Sequence, residues 1–133
     1  MSSFSEVGLL YLKNALAIET ARKKFEDDFK RLCNVENARV RWREEYQSVS
    51  ISYNDIYFFF RKSSSNYIEI SIYLYWGVKR MNPSIFKNLL GKVKGAKEDS
   101  SKKYYGIIKE CHISKFEQEL VNILDTFKLR KIK

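Results

Sequence analysis

The chain has 133 residues, 44% apolar, 31% charged and 15% aromatic, with nine Tyr and nine Phe. Ring content this high excludes a disordered polar tail, and no apolar run approaches the ~20 residues that span a bilayer. The net charge of +9 is local: eleven Lys/Arg stand against ten Asp/Glu up to Val78, and fourteen against six from Lys79 onward.

The first predicted element is a helix. Ser3-Phe4-Ser5-Glu6 can form a capping box. Phe4, Val7, Tyr11, Ile18, Phe25, Phe29 and Leu32 then recur at helical spacing, with room for a break near Asn14 into two helices. Asn34 to Asn37 is the expected stop. Three strands follow. Arg39, Arg41 and Arg43 alternate with Val40 and Trp42. In SVSISY, Val49, Ile51 and Tyr53 alternate with Ser48, Ser50 and Ser52. Asn54-Asp55 reads as a two-residue hairpin turn, since both residues tolerate positive φ. That turn pairs Tyr53 with Ile56, Ile51 with Phe58 and Val49 with Phe60, so turn and apolar pattern agree on register. A second turn at Ser63 to Asn66, centred on Ser64-Ser65, leads into YIEISIYLYWG. There Ile68, Ile70, Ile72, Leu74 and Trp76 take the apolar side, and Tyr67, Glu69, Ser71, Tyr73 and Tyr75 the other.

After Gly77 the period changes. Asn82-Pro83 opens a helix with Asn at the cap and Pro at the first position. Ile85, Phe86, Leu89, Leu90 and Val93 form its expected buried stripe. Residues 91–103 read as a flexible basic loop. Tyr104 to Ile113 is a further strand. Ser114-Lys115-Phe116-Glu117 is a second capping box for a last helix buried through Phe116, Leu120, Ile123, Leu124 and Phe127. A basic tail, 128–133, ends the chain. The expected fold is a single α+β domain: N-terminal helix, antiparallel three- to four-stranded meander, helix, strand, C-terminal helix, with the helices on the apolar wall.

Specific chemical motifs are scarce. His112, the sole histidine, is adjacent to Cys111, and neighbours on a strand point to opposite faces. Two Cys and one His at scattered positions fall short of a zinc site, and no cofactor is expected. The opening MSSFSEVGLLYLKNALAIE has no positive leader, so a cytoplasmic location is expected, with Cys33 and Cys111 as free thiols.

The order helix, three strands, helix, strand is similar to the core of the PD-(D/E)XK nuclease superfamily. An α/β core of that kind, in degenerate form, is the alternative fold. That resemblance implies a metal-binding acid early in the second strand and Glu-x-Lys in the third. Its nearest matches are Asp55 and Glu69-Ile70-Ser71, with Ser71 where the lysine would stand. A hairpin centred on Ser64-Ser65 sets Glu69 opposite Phe60. At ~3.3 Å per residue this leaves Asp55 and Glu69 near 16 Å apart, too far to share a metal. Asp55 then belongs to its turn, and Glu69 to a cross-strand pair with Arg61.

What remains is the second face of the sheet together with the basic clusters. Candidate contact residues are Arg39, Arg41, Arg43, Tyr57, Arg61, Tyr67, Tyr73 and Tyr75 on that face. Lys87, Lys92, Lys94, Lys97, Lys102 and Lys103 lie around the loop, and Arg130 and Lys131 in the tail. Tyrosine combines an apolar body with a polar tip, and open aromatic sheets stack bases. The leading expectation is a non-enzymatic binding module for an anionic partner, most simply a nucleic acid backbone. The alternative is a small bacterial or phage inhibitor that binds an acidic protein surface: an immunity protein, antitoxin or anti-defence factor. A third reading is an inactive nuclease relative. An exposed tyrosine face can also close a homodimer. A helix laid over that face would remove it from consideration.

Overall fold

The computed structural model describes residues 4–13, 19–75 and 82–130. Four helices and six strands follow in the order α1 (Glu6–Lys13), α2 (Glu19–Cys33), β1 (Arg39–Arg43), β2 (Ser48–Tyr53), β3 (Ile56–Ser64), β4 (Tyr67–Tyr75), α3 (Pro83–Leu90), β5 (Lys97–Glu98), β6 (Tyr104–His112) and α4 (Phe116–Thr126). The six strands form one sheet in the order β1-β2-β3-β4-β6-β5, and each of its five pairings is antiparallel. This is an α+β architecture. The α/β alternative is corrected: it would carry parallel strands with helices on both faces, whereas the pairings are antiparallel and the described helices lie on one face.

Sequence signals account for most of the boundaries. The N-terminal segment forms two helices, and the expected break near Asn14 and the apolar position Ile18 lie outside the described residues. Ser5 caps α1, its Oγ accepting the Gly8 N–H at 3.0 Å; Ser3, the expected cap, lies outside the described residues. Helix α2 stops at Asn34, whose φ of 55° reverses the chain. The Val35 N–H then reaches back to the Lys30 carbonyl at 3.1 Å and the Asn34 N–H to Arg31 at 3.3 Å, the paired bonds of a Schellman motif. Asn54 and Asp55 take φ of 50° and 59°, the twin positive values of a type I′ turn. Tyr53–Ile56, Ile51–Phe58 and Val49–Phe60 pair as expected. Asn82 caps α3 by accepting the Ile85 N–H at 2.9 Å.

Four expectations are corrected. A bulge between Lys62 and Ser64 shifts the second hairpin, so Glu69 faces Arg61 and Phe60 faces Ile70. The loop at 91–103 contains β5, an edge strand paired to β6 through Lys97–Ile108 and Glu98–Ile107. Ile85 is 49% exposed: it lies about 100° around the axis from Phe86, the residue of α3 that is buried. Ser114 does not cap α4. The His112 Nδ1 accepts the Ser114 N–H instead, and the Glu117 carboxylate accepts the Phe4 N–H at 2.9 Å, tying the N-terminus to α4. Cys33 and Cys111 are free thiols, as expected, and both are buried. Burial pushes both up to about 11, which keeps them protonated and unreactive at neutral pH.

The buried wall of Val40, Val49, Ile51, Phe58, Phe60, Ile68, Ile70, Ile72, Leu74 and Ile107 faces the helices; Phe59 and Ile108 point the other way. Phe60 meets Phe116 at 5.2 Å, Phe25 at 5.9 Å and Phe29 at 6.1 Å between ring centroids. Phe58 packs on Phe29 at 5.2 Å. At the other end Phe86 of α3 stacks on Tyr105 at 4.6 Å and lies 5.5 Å from Phe127. The Tyr53 hydroxyl donates to the Leu129 carbonyl at 2.7 Å, fastening the end of the chain to β2.

The free edge of β1 is clasped by α2. The Val40 N–H donates to Glu26 Oε2 at 2.9 Å, and the Val40 carbonyl accepts from Arg22 Nη1 at 2.9 Å. Arg22 and Glu26 are themselves joined at 3.0 Å. An edge strand offers unpaired backbone groups that template unwanted pairing, and this clasp occupies the central pair.

Burial raises the pKa of the Glu26 carboxyl, but the Val40 N–H, the Arg22 hydrogen bond and the Arg22 and Lys30 charges outweigh it, and the net position is lowered. A lowered folded-state pKa contributes stability that is present above the unfolded carboxylate value and lost as pH falls through the folded one. Glu26→Ala also leaves the Val40 N–H without its acceptor. It is expected to cost about 1–3 kcal/mol at neutral pH, with a smaller loss below pH about 4, read by urea unfolding at both pH values.

Candidate functional site

The strand pattern that buries Phe58 and Phe60 turns Tyr57, Phe59 and Arg61 the other way. No helix among the described residues packs on that outer face; the helix-to-sheet ring contacts run to Tyr53, Phe58, Phe60 and Tyr105, all on the inner side. Among the described residues, four of the five large apolar side chains left exposed, Tyr46, Tyr57, Tyr67 and Tyr75, belong to this open side.

Register arranges the outer face in rows. Tyr75 sits opposite Tyr104. The next row runs Arg39, Ser52, Tyr57, Tyr73, Gly106. The next runs Arg41, Ser50, Phe59, Ser71, Ile108, Lys97. Below it come Arg43 opposite Ser48, Arg61 opposite Glu69, and Glu69 opposite Glu110. This last row changes sign across the sheet, from arginine on β1 to glutamate on β6. Tyr67 and His112 close the far end, with rings 5.3 Å apart.

A groove of about 380 Å³ lies along these rows, lined by Tyr46, Ser48, Tyr57, Phe59, Arg61, Glu69, Ser71, Tyr73, Tyr75 and Tyr104. Its rings form a chain: Tyr46–Phe59 at 5.6 Å, Phe59–Tyr73 at 5.9 Å, Tyr73–Tyr104 at 4.8 Å, Tyr104–Tyr75 at 6.0 Å and Tyr75–Tyr57 at 5.2 Å. All but the tilted Tyr104–Tyr75 contact are edge-to-face, which leaves ring faces presented to the groove. Gly106 makes the tight centre possible. A Cβ there would lie 2.1 Å from the Asp99 carbonyl oxygen and 3.0 Å from Tyr73 Cε1. Its absence lets the Tyr73 hydroxyl donate to the Asp99 carboxylate at 3.0 Å.

One wall is polar. Arg61 Nη2 and Glu69 Oε2 are 3.1 Å apart, forming the expected cross-strand pair. Ser48 is 2% exposed, and its Oγ has no hydrogen-bond partner. Tyr46 rests on Phe59, and the Arg43 guanidinium lies 5.7 Å from its ring centroid.

The sequence candidates divide. The structure brings Tyr57, Arg61, Tyr73 and Tyr75 together in the groove, with Arg39, Arg41 and Arg43 along the β1 side. Arg43 is engaged by Glu45 through Nε at 2.6 Å. Lys97 reaches the same face from the β5 edge, and Lys102 and Lys103 form the exposed tip of the β5–β6 hairpin. Tyr67 lies apart from the groove against His112. Lys87 stands exposed on α3, and Lys94 lies beside the inner-face Lys109, whose Nζ donates to its carbonyl, so these and Lys92 are on the helical side. Arg130 is held in a bidentate pair with Asp125 at 2.6 and 3.0 Å. Lys131 lies outside the described residues. Sequence reasoning missed Tyr46 and Tyr104. Tyr104 shares the parity of Gly106 and Ile108, but only knowledge that β6 pairs with β4 puts it beside Tyr73.

Asp55 is in its turn and Glu69 is paired to Arg61, so the two acids are not brought together. Among the described residues no three His, Cys, Asp or Glu side chains cluster to hold a metal ion, and no helix is long and apolar enough to cross a membrane. The chain matches no known family model, no curated protein and no solved structure.

Burial, then the Asp99 hydrogen bond and charge, pushes the Tyr73 phenol up to about 12. The raised value means that this hydrogen bond's stability is full below the unfolded tyrosine pKa and lost as pH rises toward the folded one. Tyr73→Phe is expected to cost about 0.5–1.5 kcal/mol at neutral pH. It should also remove a late step from the alkaline tyrosinate absorbance titration.

Proposed function

We propose that the outer face of the sheet binds single-stranded nucleic acid, and that the protein acts by binding rather than catalysis. The observation that carries this reading is the uncovered chain of six aromatic rings, bordered by the arginines of β1 on one side and Lys97 on the other. Single strands bind where bases stack on aromatic rings and cations track the phosphates, each stack contributing ~1–3 kcal/mol by alanine substitution. A duplex keeps its base faces covered and gains only the charge term. The reading narrows the sequence expectation: the aromatic face makes the contact, and the lysines of the C-terminal third supply a diffuse field that speeds encounter.

The test is fluorescence anisotropy with labelled single- and double-stranded oligonucleotides at ~50 and ~200 mM salt. Single strands are expected to bind more tightly than duplexes and to weaken with salt. Tyr57→Ala/Tyr75→Ala removes two exposed rings and is expected to weaken binding about tenfold or more, with the salt slope retained. Charge removal at Lys87, Lys92 and Lys94 is expected to lower the on-rate more than the affinity. No binding of any oligonucleotide at low salt would overturn the reading and turn the search to an acidic protein partner of the same face.

A further inference from the structure

We propose that the groove is a pocket for one unstacked guanine, read by Arg61, Glu69 and Ser48. The proposal deepens the single-strand reading and rests on it.

Three observations converge. The first is shape: about 380 Å³ falls within the range of pockets that enclose small organic ligands. Its walls are ring faces and edges, which suit a flat heterocycle. The second is the polar wall. Arg61 and Glu69 face each other across β3 and β4 with a single contact of 3.1 Å, and the arginine keeps further N–H donors for a ligand. Side by side they offer a carboxylate acceptor and a guanidinium donor. Guanine alone among the common bases presents two adjacent N–H donors, at N1 and N2, beside a carbonyl acceptor, O6. Glu69 accepts from N1–H and N2–H, and Arg61 donates to O6. Adenine offers an amino group where O6 should be and no N1 proton. Cytosine and thymine each lack one of the two donors.

The third observation is Ser48. A buried hydroxyl without a partner costs about 1–3 kcal/mol, and the great majority of buried polar atoms are satisfied. Ser48 lines this groove on the same outer row as Arg61, and its Oγ is one of two such orphans among the described residues. A base seated against Arg61 brings a second acceptor, N7, to the side where Ser48 stands. The hydroxyl then gains the partner it lacks in the free protein. Tyr57 and Tyr75, 37% and 39% exposed, stand at the groove's outer rim to stack the neighbouring nucleotides.

The experiment is competition anisotropy on the full chain with short oligothymidylates, unmodified or carrying one central guanine, inosine or 7-deazaguanine. The guanine oligomer is expected to bind about tenfold more tightly than oligothymidylate. Inosine lacks the N2 amino group, and 7-deazaguanine lacks the N7 acceptor; each should lose part of that gain. Glu69→Gln keeps the shape of the wall and is expected to abolish the guanine preference, read as the ratio of guanine-oligomer to oligothymidylate affinity in the same variant. Ser48→Ala should erase the difference between guanine and 7-deazaguanine alone. Equal affinity for guanine, inosine and thymine would overturn the pocket and leave single-strand binding standing. Failure of every oligomer to bind would overturn both.

Discussion

The structure depends on one constraint, the strict alternation of β3. Phe58 and Phe60 must point one way and Tyr57, Phe59 and Arg61 the other. Phe60 lies where α2, α4 and the sheet meet, in ring contact with Phe25, Phe29 and Phe116. Truncating a ring at such a position costs about 3–5 kcal/mol, because the cavity cannot be refilled by neighbours from three elements. With the apolar wall of four strands gathered on one side, the described helices settle there. The other face is then left to a different kind of residue.

That second face is built of groups that tolerate both water and cover. The rings contact one another edge-on and the Tyr73 hydroxyl is held by Asp99, so the face is ordered before any partner arrives. Preorganisation of this sort lowers the entropy lost on binding. The arginines differ in availability. Arg61 and Arg43 are engaged by Glu69 and Glu45, which orients them and dilutes their charge. The field of the C-terminal third is also less concentrated than the residue counts suggest. Arg130 is closed by Asp125, and Lys109 sits between the Lys94 carbonyl and Glu119 at 3.4 Å. Shape and stacking, more than charge, therefore distinguish this face.

Legibility followed locality. The Asn54-Asp55 turn, the Asn34 stop and the Asn82 cap are short-range events whose residues have few alternatives, and they read directly. So did the parity of Ile68 to Leu74. The Arg61–Glu69 pair was legible as chemistry, though its register was one residue off, because a bulge at Lys62–Ser64 leaves no mark in an alternating run of serines. Strand β5 has two charged residues and exists only because β6 offers it an edge. The Ser114 cap lost to His112, a nearer partner. The lysine cluster around the loop divides: Lys87, Lys92 and Lys94 have the sheet between them and the tyrosines, while Lys97 shares the outer face, a split that needs the β5–β6 pairing. Tyr104 joined the groove only through long-range pairing, which no local pattern encodes.

The most direct test of the account is a titration of the isotope-labelled chain with a short single-stranded oligonucleotide, followed by amide chemical shifts. The account predicts perturbations along the outer rows, at Tyr57, Phe59, Tyr73, Tyr75 and Tyr104, with α3 and α4 unchanged. Shifts confined to Lys87, Lys92 and Lys94, with the tyrosine rows silent, would contradict it. They would place binding on the charged helical side instead of the open aromatic face.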